Sequence, residues 1–465
     1  MFEPSRFGSS IAFVEGDRSW SYAELSDSAA SISQAVGRRT LVCVVCSNTA
    51  ECIAGYVGMI DAHIVPWLVG ADLDEQLFKN LMGIYRPTHI WAPQVFSEKL
   101  EDYAQTFELG GYALFAAKAS EPVELYDDLA LLMSTSGSTG TPKLVRLSYE
   151  NLRSNTESII AYLGITQSER AITSLPLHYV YGLSVVNTHL YAGACLVLTE
   201  LACYSGPFWK LFSAQNCTSF AGVPFMYEML DKLKVTNKPA QPTLKTMTQA
   251  GGKLSPALQA KFTDFARREN FKFVVMYGAS EATARMGYLP FEAAADKQGS
   301  MGIAIPGGRF ELVDADGTPI ETTRTPGELI YYGPNVSLGY AIAREDLAKG
   351  DENAGRLATG DIAERDEDGF YYVVGRLKRF VKMLGKRMNL DDVERLLKEE
   401  LATVELACAG SDDLLRVFVT DAALTDTAKS IIVERLNINP RMCEINVIDE
   451  IPKSSSGKTL YAQLQ

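Results

Sequence analysis

The apolar positions of this chain alternate between two rhythms. Tyr22–Val36 has helical spacing, and Ser21 stands before it as an N-cap with Glu24 three residues on, a capping-box arrangement. Leu41–Cys46 is continuously apolar and predicts a short buried strand. Ala171–Leu175, Cys195–Leu198 and Phe271–Tyr277 predict further strands. Such alternation implies an α/β chain of layered sheets and helices. After about residue 300 the texture changes. Arg309–Val313, Glu328–Tyr332 and Phe370–Val374 read as strands, punctuated by the turns Asp316-Gly317 and Asp368-Gly369. They predict a barrel-like antiparallel subdomain over roughly 300–376. Beyond it, Leu390, Val393, Leu396, Leu397 and Leu401 form one helical stripe with Asn389 as its N-cap. A second helix is predicted over Asp426–Leu436. The expected organisation is a large N-terminal domain, 1–376, and a small α+β C-terminal domain, 377–465.

Composition narrows the function. The 465 residues carry 44 basic and 57 acidic side chains, a net charge of −13. That argues against a dedicated nucleic-acid binder, yet leaves room for a local basic site facing an anionic substrate. The opening MFEPSRFGSS lacks the pattern of a secretory signal. The most apolar early stretch, Thr40–Gly70, is broken by Asn48, Glu51, Asp61, His63 and Pro66, so it reads as core and not as a membrane span. Of the eight cysteines only Cys43 and Cys46 form a CxxC, inside the apolar run LVCVVC. Buried thiols are expected there, not zinc or redox chemistry. A cytoplasmic protein with no membrane span is expected.

The strongest local signal is the run from Ser134 to Lys143, in which Thr135, Ser136, Gly137, Ser138, Thr139 and Gly140 precede Thr141-Pro142-Lys143. Glycines let backbone approach a ligand, and successive N–H and hydroxyl groups can surround phosphate oxygens. Lys143 adds a positive charge. The apolar run Leu129–Met133 supplies a strand for the loop to leave. This is not a Walker-type loop: five residues after Gly137 stands Pro142, and five before Gly457 stands Pro452.

Further segments carry a family resemblance. They are Ser19-Trp-Ser-Tyr22-Ala-Glu-Leu25, Leu175-Pro-Leu-His178-Tyr-Val-Tyr-Gly182, Ala250-Gly-Gly-Lys-Leu-Ser-Pro256 and Tyr277-Gly-Ala-Ser-Glu281. Then come Gly327-Glu-Leu with Gly339-Tyr340, Thr359-Gly-Asp361, Gly375-Arg376 followed by Lys382, Gly385 and Arg387, and Pro452-Lys453 with Gly457-Lys458. With the Ser/Thr/Gly loop they resemble, in order, the motifs of the acyl-adenylate-forming superfamily. That superfamily holds acyl-CoA synthetases, nonribosomal peptide synthetase adenylation domains and luciferases.

The resemblance implies an ATP-dependent enzyme that makes an acyl-adenylate, releases pyrophosphate and passes the acyl group to a thiol. CoA, or the phosphopantetheine arm of a separate carrier protein, is the implied acceptor. Transfer to an amine and a catalytically dead nucleotide-binding homologue remain the alternatives. Two anions must meet in line, so charge neutralisation is required. Mg²⁺ is implied, with Glu281 as a ligand and Thr139 assisting. Thr135–Gly140, Lys143, Gly251, Gly252, Lys253, Tyr277, Gly278 and Ser280 are the implied nucleotide contacts, with Asp361 on the ribose and Arg376 beside it. Lys458 is the implied catalytic lysine, stabilising charge on the reacting phosphate. His178 is implied near the substrate carboxylate, and Tyr179, Phe225, Tyr227, Met276 and Ala279 line or support an acyl pocket. Lys378 occupies the hinge of a mobile C-terminal domain, and Lys382 and Gly385 line the thiol's path. No Asp follows His178 closely, which disfavours an α-amino acid substrate. Arg285, four residues after Glu281, offers a contact for a polar acid, but is read first as a member of a structural ion pair. Tyr461 stands where relatives often have Arg.

Two outcomes follow. Lys458→Ala should slow adenylation severely, by about a hundredfold or more, while sparing thioester formation from supplied acyl-adenylate. Adenylation at the parent rate would remove Lys458 from the mechanism. Lys378→Pro should spare adenylate formation and block acyl transfer; equal loss of both half-reactions would count against the hinge.

Overall fold

A computed structural model describes residues 1–119, 121–134, 143–377, 379–383, 386–401, 405–411, 413–436, 438–453 and 459–464. They fall into two compact units. The first holds the described residues up to Arg309 together with Tyr331–Leu357; the second holds Phe310–Ile330 and the described residues from Ala358 onward.

The first unit is built on two sheets. In the eight-stranded one, Leu41–Cys46 lies between Val65–Gly70 and His89–Pro93, parallel to both. Its side chains alternate between two cores. Val42, Val44 and Cys46 face one, and Leu41, Cys43 and Val45 face the other. A period of two in a strand buried on both faces demands a continuous apolar run, which is why LVCVVC reads as it does. The same alternation sends Cys43 and Cys46 to opposite faces, so they cannot share a metal. All eight cysteines are buried and free.

The nine-stranded sheet has a parallel centre. Lys272–Tyr277, Thr246–Gln249, Ser219–Gly222, Arg170–Ile172 and Cys195–Leu198 lie side by side. Helices Ala50–Asp61 and Val180–Tyr191 are apolar almost all round. A helix of that kind must be covered on every side. Both sit in one core that takes Phe13, Trp20 and Leu196 from the nine-stranded sheet and Val44, Leu68 and Leu131 from the eight-stranded one. The two helices are joined by the Tyr56 hydroxyl donating to Asn187 Oδ1 at 3.0 Å. Each large apolar side chain buried there contributes about 1.5–3 kcal/mol, so this shared core holds the sheets together.

Helix Tyr22–Val36 opens with the expected capping box: Glu24 N–H donates to Ser21 Oγ and Ser21 N–H to the Glu24 carboxylate. Strand Arg170–Ile172 is shorter than expected. Thr173 still donates its N–H to Val197 O at 2.9 Å and its hydroxyl to Thr199 O at 3.2 Å, and the chain leaves the sheet before Pro176. No helix among the described residues is long and apolar enough to cross a membrane.

In the second unit, Arg309–Val313, Gly327–Tyr332, Arg356–Arg365 and Tyr371–Arg376 form one four-stranded sheet in the region expected to be barrel-like. Further on, Phe380–Met383 and Lys386–Asn389 pair as a hairpin, and helices Leu390–Leu401 and Thr425–Leu436 pack on strands Leu406–Ser411, Leu414–Val419 and Cys443–Val447. Asn389 closes the second hairpin strand. Arg379 anchors this end: it ion-pairs with Asp391 and Glu394, and its guanidinium lies 3.6 Å from the Tyr461 ring centroid. Tyr461 Oη also donates to Glu394 Oε2 at 3.2 Å. The tyrosine at the position where an arginine is common thus ties the chain end to the helix.

Helices Tyr22–Val36 and Ala50–Asp61 touch at Gly58. A Cβ there would lie 2.3 Å from the carbonyl oxygen of Ala29. Gly58→Ala should therefore lower stability by about 1–3 kcal/mol, read as a fall in the denaturant midpoint. Gly83→Ala, where a Cβ meets nothing within 4 Å, is the control. Equal effects of the two would contradict the close approach.

Candidate active site

Three of the sequence motifs follow the C-terminal ends of parallel strands in the nine-stranded sheet. The His178 segment follows Arg170–Ile172, the Gly251-Gly252 segment follows Thr246–Gln249, and the Glu281 segment follows Lys272–Tyr277. Open α/β sheets bind ligands at that edge, where loops diverge and backbone groups are unspent.

The Glu281 turn is tightly determined. Gly278 is obligatory, since a Cβ there would meet Ala284 O at 1.6 Å. The chain doubles back at once: Met286 N–H donates to Tyr277 O, and Gly287 pairs with Tyr277. Thr283 and Ala284 take positive φ, 56° and 110°, without being glycine. Such geometry costs about 1–3 kcal/mol each and persists only where surroundings impose it. Asn335 supplies that restraint, donating through Nδ2 to Ala282 O and Arg285 O, both at 2.8 Å, while Thr283 Oγ1 donates to Asn335 O.

Glu281 thereby faces Tyr340, whose hydroxyl donates to Glu281 Oε1 at 2.6 Å. Burial raises the Tyr340 phenol well above its ordinary range and the adjacent carboxylate raises it further, so it stays a donor. The ammonium of Lys143 lies 3.7 Å from the centroid of the same ring. Strand Gly339–Ala341 carries Tyr340, paired to Leu144–Ser148. Buried Arg146 fixes that pairing, donating to the carbonyls of Leu338, Tyr340, Lys349 and Gly350 and to the Glu352 carboxylate. Residues 135–142, which include the predicted phosphate loop and Thr139, lie outside the described residues. The hairpin that carries them is described: Ser134 pairs with Leu144.

His178 is half-buried against Gly70. A Cβ on Gly70 would lie 3.0 Å from the imidazole and 2.4 Å from Asp72 Oδ1. Burial lowers the His178 pKa and the Asp72 carboxylate opposes this, leaving a neutral ring at pH 7. Its Nδ1 is buried with no partner among the described residues. Gly251, at φ 86°, leaves space that the Tyr179 hydroxyl fills; a Cβ would meet it at 2.3 Å. His178, Tyr179 and Gly251 thus lie at one edge. Lys253 is exposed, while Tyr277, Ala279 and Ser280 are partly exposed beside Glu281. Met276 is buried, accepting at its sulfur from Tyr162 Oη and Arg285 Nε.

The remaining two predicted pocket residues differ in burial. Tyr227 is fully buried among Phe220, Phe262 and Phe273, with its hydroxyl on Thr248 O, so it is spent on core packing. Phe225 is 38% exposed and touches Tyr204 edge-on. The reading of Arg285 as an ion-pair member also needs correction: no carboxylate pairs with it among the described residues. Tyr340, Asp72 and Asn335 were missed as site residues. Only Tyr340 sat in a recognised motif, and its link to Glu281 spans 59 residues.

In the second unit, Asp361 and Arg376 face each other across adjacent antiparallel strands, with Arg376 Nε donating to Asp361 Oδ1 at 2.9 Å. The carboxylate is buried and the guanidinium 66% exposed. Lys378, Gly385 and Lys458 lie outside the described residues. Lys382 lies in strand Phe380–Met383.

Comparison with known proteins agrees with this architecture. The family model described as AMP-binding enzyme matches residues 3–341. The probable CoA ligase CCL9 of Humulus lupulus is 27% identical over 401 residues, 80% of this chain and 75% of that protein. A long-chain-fatty-acid–CoA ligase of Yersinia pestis is 30% identical over 74% of this chain, which spans only 62% of that relative's length. Among solved structures, o-succinylbenzoate CoA synthetase of Bacillus subtilis in complex with its acyl-adenylate intermediate matches with a TM-score of 0.80 at 22% identity, covering 100% of this chain and 97% of that one. The same synthetase with ATP and magnesium ion matches at 0.79 and 20%, covering 99% and 98%. The chain belongs to the AMP-binding enzymes of the acyl-adenylate-forming superfamily.

Proposed function

We propose that this chain activates a carboxylic acid with ATP as an acyl-adenylate, releases pyrophosphate, and transfers the acyl group to the thiol of CoA or of a carrier protein's phosphopantetheine arm. The observation that carries the reading is the Lys143–Tyr340–Glu281 contact at the rim of the hairpin holding the Ser/Thr/Gly loop. Bound ATP supplies an electrophilic α-phosphorus, and Mg²⁺ neutralises phosphate charge. The residues present fit both. Glu281 commits one carboxylate oxygen to Tyr340, and the other takes no hydrogen bond from a described residue, which suits a hard-oxygen metal ligand. Tyr340 orients that carboxylate, and Lys143 adds a positive charge near incoming phosphate. Gly251 lets the Tyr179 hydroxyl reach the edge, and neutral His178 holds a polar face toward the acid's carboxylate without adding charge.

Asp361 is proposed for the ribose hydroxyls, with Arg376 holding its carboxylate in register. The C-terminal domain from 377 would bring Lys458 to the phosphates and then present Lys382 and Gly385 to the thiol. A cytoplasmic site of action belongs to the same proposal, supported by eight buried, unbridged cysteines.

Incubating the enzyme with ATP, Mg²⁺ and a panel of carboxylic acids should release pyrophosphate and not phosphate, with CoA, a carrier protein and an amine offered in separate arms. Orthophosphate release would contradict the reading, and an amide as the only product would move the acceptor to the alternative. Glu281→Ala should raise the Mg²⁺ concentration for half-maximal rate by about tenfold or more. Tyr340→Phe should shift it the same way by a smaller factor. An unaltered Mg²⁺ titration in both would refute the metal role.

A further inference from the structure

Arg285 is 2% exposed, yet the groups its side chain meets are soft ones. Its guanidinium carbon lies 4.0 Å from the Tyr181 ring centroid, and Nε donates to Met276 Sδ at 3.3 Å. No carboxylate pairs with it among the described residues. Arg146, equally buried, shows the ordinary solution: four carbonyls and a carboxylate accept its protons. A buried cation without a counter-ion is strongly destabilising, and an aromatic face with a thioether offsets only part of that. Arg285 is short of an anion.

The space around it says where an anion would come from. Arg285 lines a cavity of about 220 Å³ with Ser184, Thr188, Ala221 and Thr248. Lys245 and Lys272 also line it, against a single carboxylate, Glu169, which is already paired to Lys245 at 2.9 Å. The lining is therefore positive. Tyr181, under Arg285, has its ring centroid 6.3 Å from that of Tyr179, which stands at Gly251. The Tyr181 hydroxyl is held by Thr248 Oγ1 at 2.8 Å, which fixes the ring beneath the guanidinium. A small organic tail fits such a volume, since one liquid water takes about 30 Å³.

We propose that the acid activated by this chain is a dicarboxylate: one carboxylate is presented at the His178–Gly251 edge, and the second enters the cavity to pair with Arg285. The inference rests on the adenylation reading above for the first carboxylate only.

Pyrophosphate release is measured with succinate, glutarate, adipate and pimelate and with the half-amide of each, on the parent enzyme, Arg285→Gln and Arg285→Lys. At the best length the parent should prefer the diacid by about a hundredfold in kcat/KM, because the amide leaves the guanidinium unpaired. Arg285→Gln should reduce that ratio to about tenfold or less, and Arg285→Lys should keep most of it. A half-amide used as well as its diacid, or a ratio unmoved in Arg285→Gln, overturns the proposal. Should Arg285→Gln fail to fold, the ratios in the parent and Arg285→Lys decide by the same limits. Melting temperature with each acid and no ATP reads the subsite separately from turnover. If no acid releases pyrophosphate, the adenylation reading falls; a diacid that stabilises the parent but not Arg285→Gln still supports the subsite, and equal stabilisation of both overturns it.

Discussion

A phenol between a carboxylate and an ammonium organises the candidate site of the first unit. Tyr340 gives its proton to Glu281 and its ring face to Lys143. Those two residues reach it from different sheets, one after Lys272–Tyr277 and the other before Leu144–Ser148. The contact works only because each partner is fixed separately. Arg146 clamps the segment carrying Tyr340, and Asn335 pins the strained turn carrying Glu281. Both Arg146 and Asn335 are buried, where a satisfied network is rigid and a broken one costly. The strain at Thr283 and Ala284 is the local cost of aiming Glu281.

Much of the fold was legible because local chemistry and global burial agree. The capping box at Ser21 and Glu24 is a short-range signal, and it formed. LVCVVC could only be a strand with two covered faces. Misreadings arose where the deciding partner is remote. Tyr227 looked like pocket lining beside Phe225, but Phe262 and Phe273, supplied by a later helix and strand, claim it for the core. Arg285 looked like an ion-pair member because nearly every buried arginine is one, and its missing carboxylate is visible only in three dimensions. Tyr340 stood in a recognised motif, yet no spacing rule links it to a carboxylate 59 residues earlier.

The second unit shows the same economy on a smaller scale. Asp361 and Arg376 meet because their strands pair in register. Arg379, three residues on, joins Asp391, Glu394 and Tyr461, so the segment after the strand and the chain end share one buried charge cluster. A tyrosine there supplies a ring face and a hydroxyl where an arginine would have placed a second cation beside Arg379. The departure from the family pattern is thus matched by its surroundings.

The central claim is that a carboxylate oxygen attacks the α-phosphorus of ATP at this edge. Supplying an acid labelled with heavy oxygen in its carboxylate and analysing the AMP after thioester formation tests this most directly. The account predicts one labelled oxygen transferred to the AMP phosphate. Unlabelled AMP, with the label retained in the acyl product or found in orthophosphate, would contradict it.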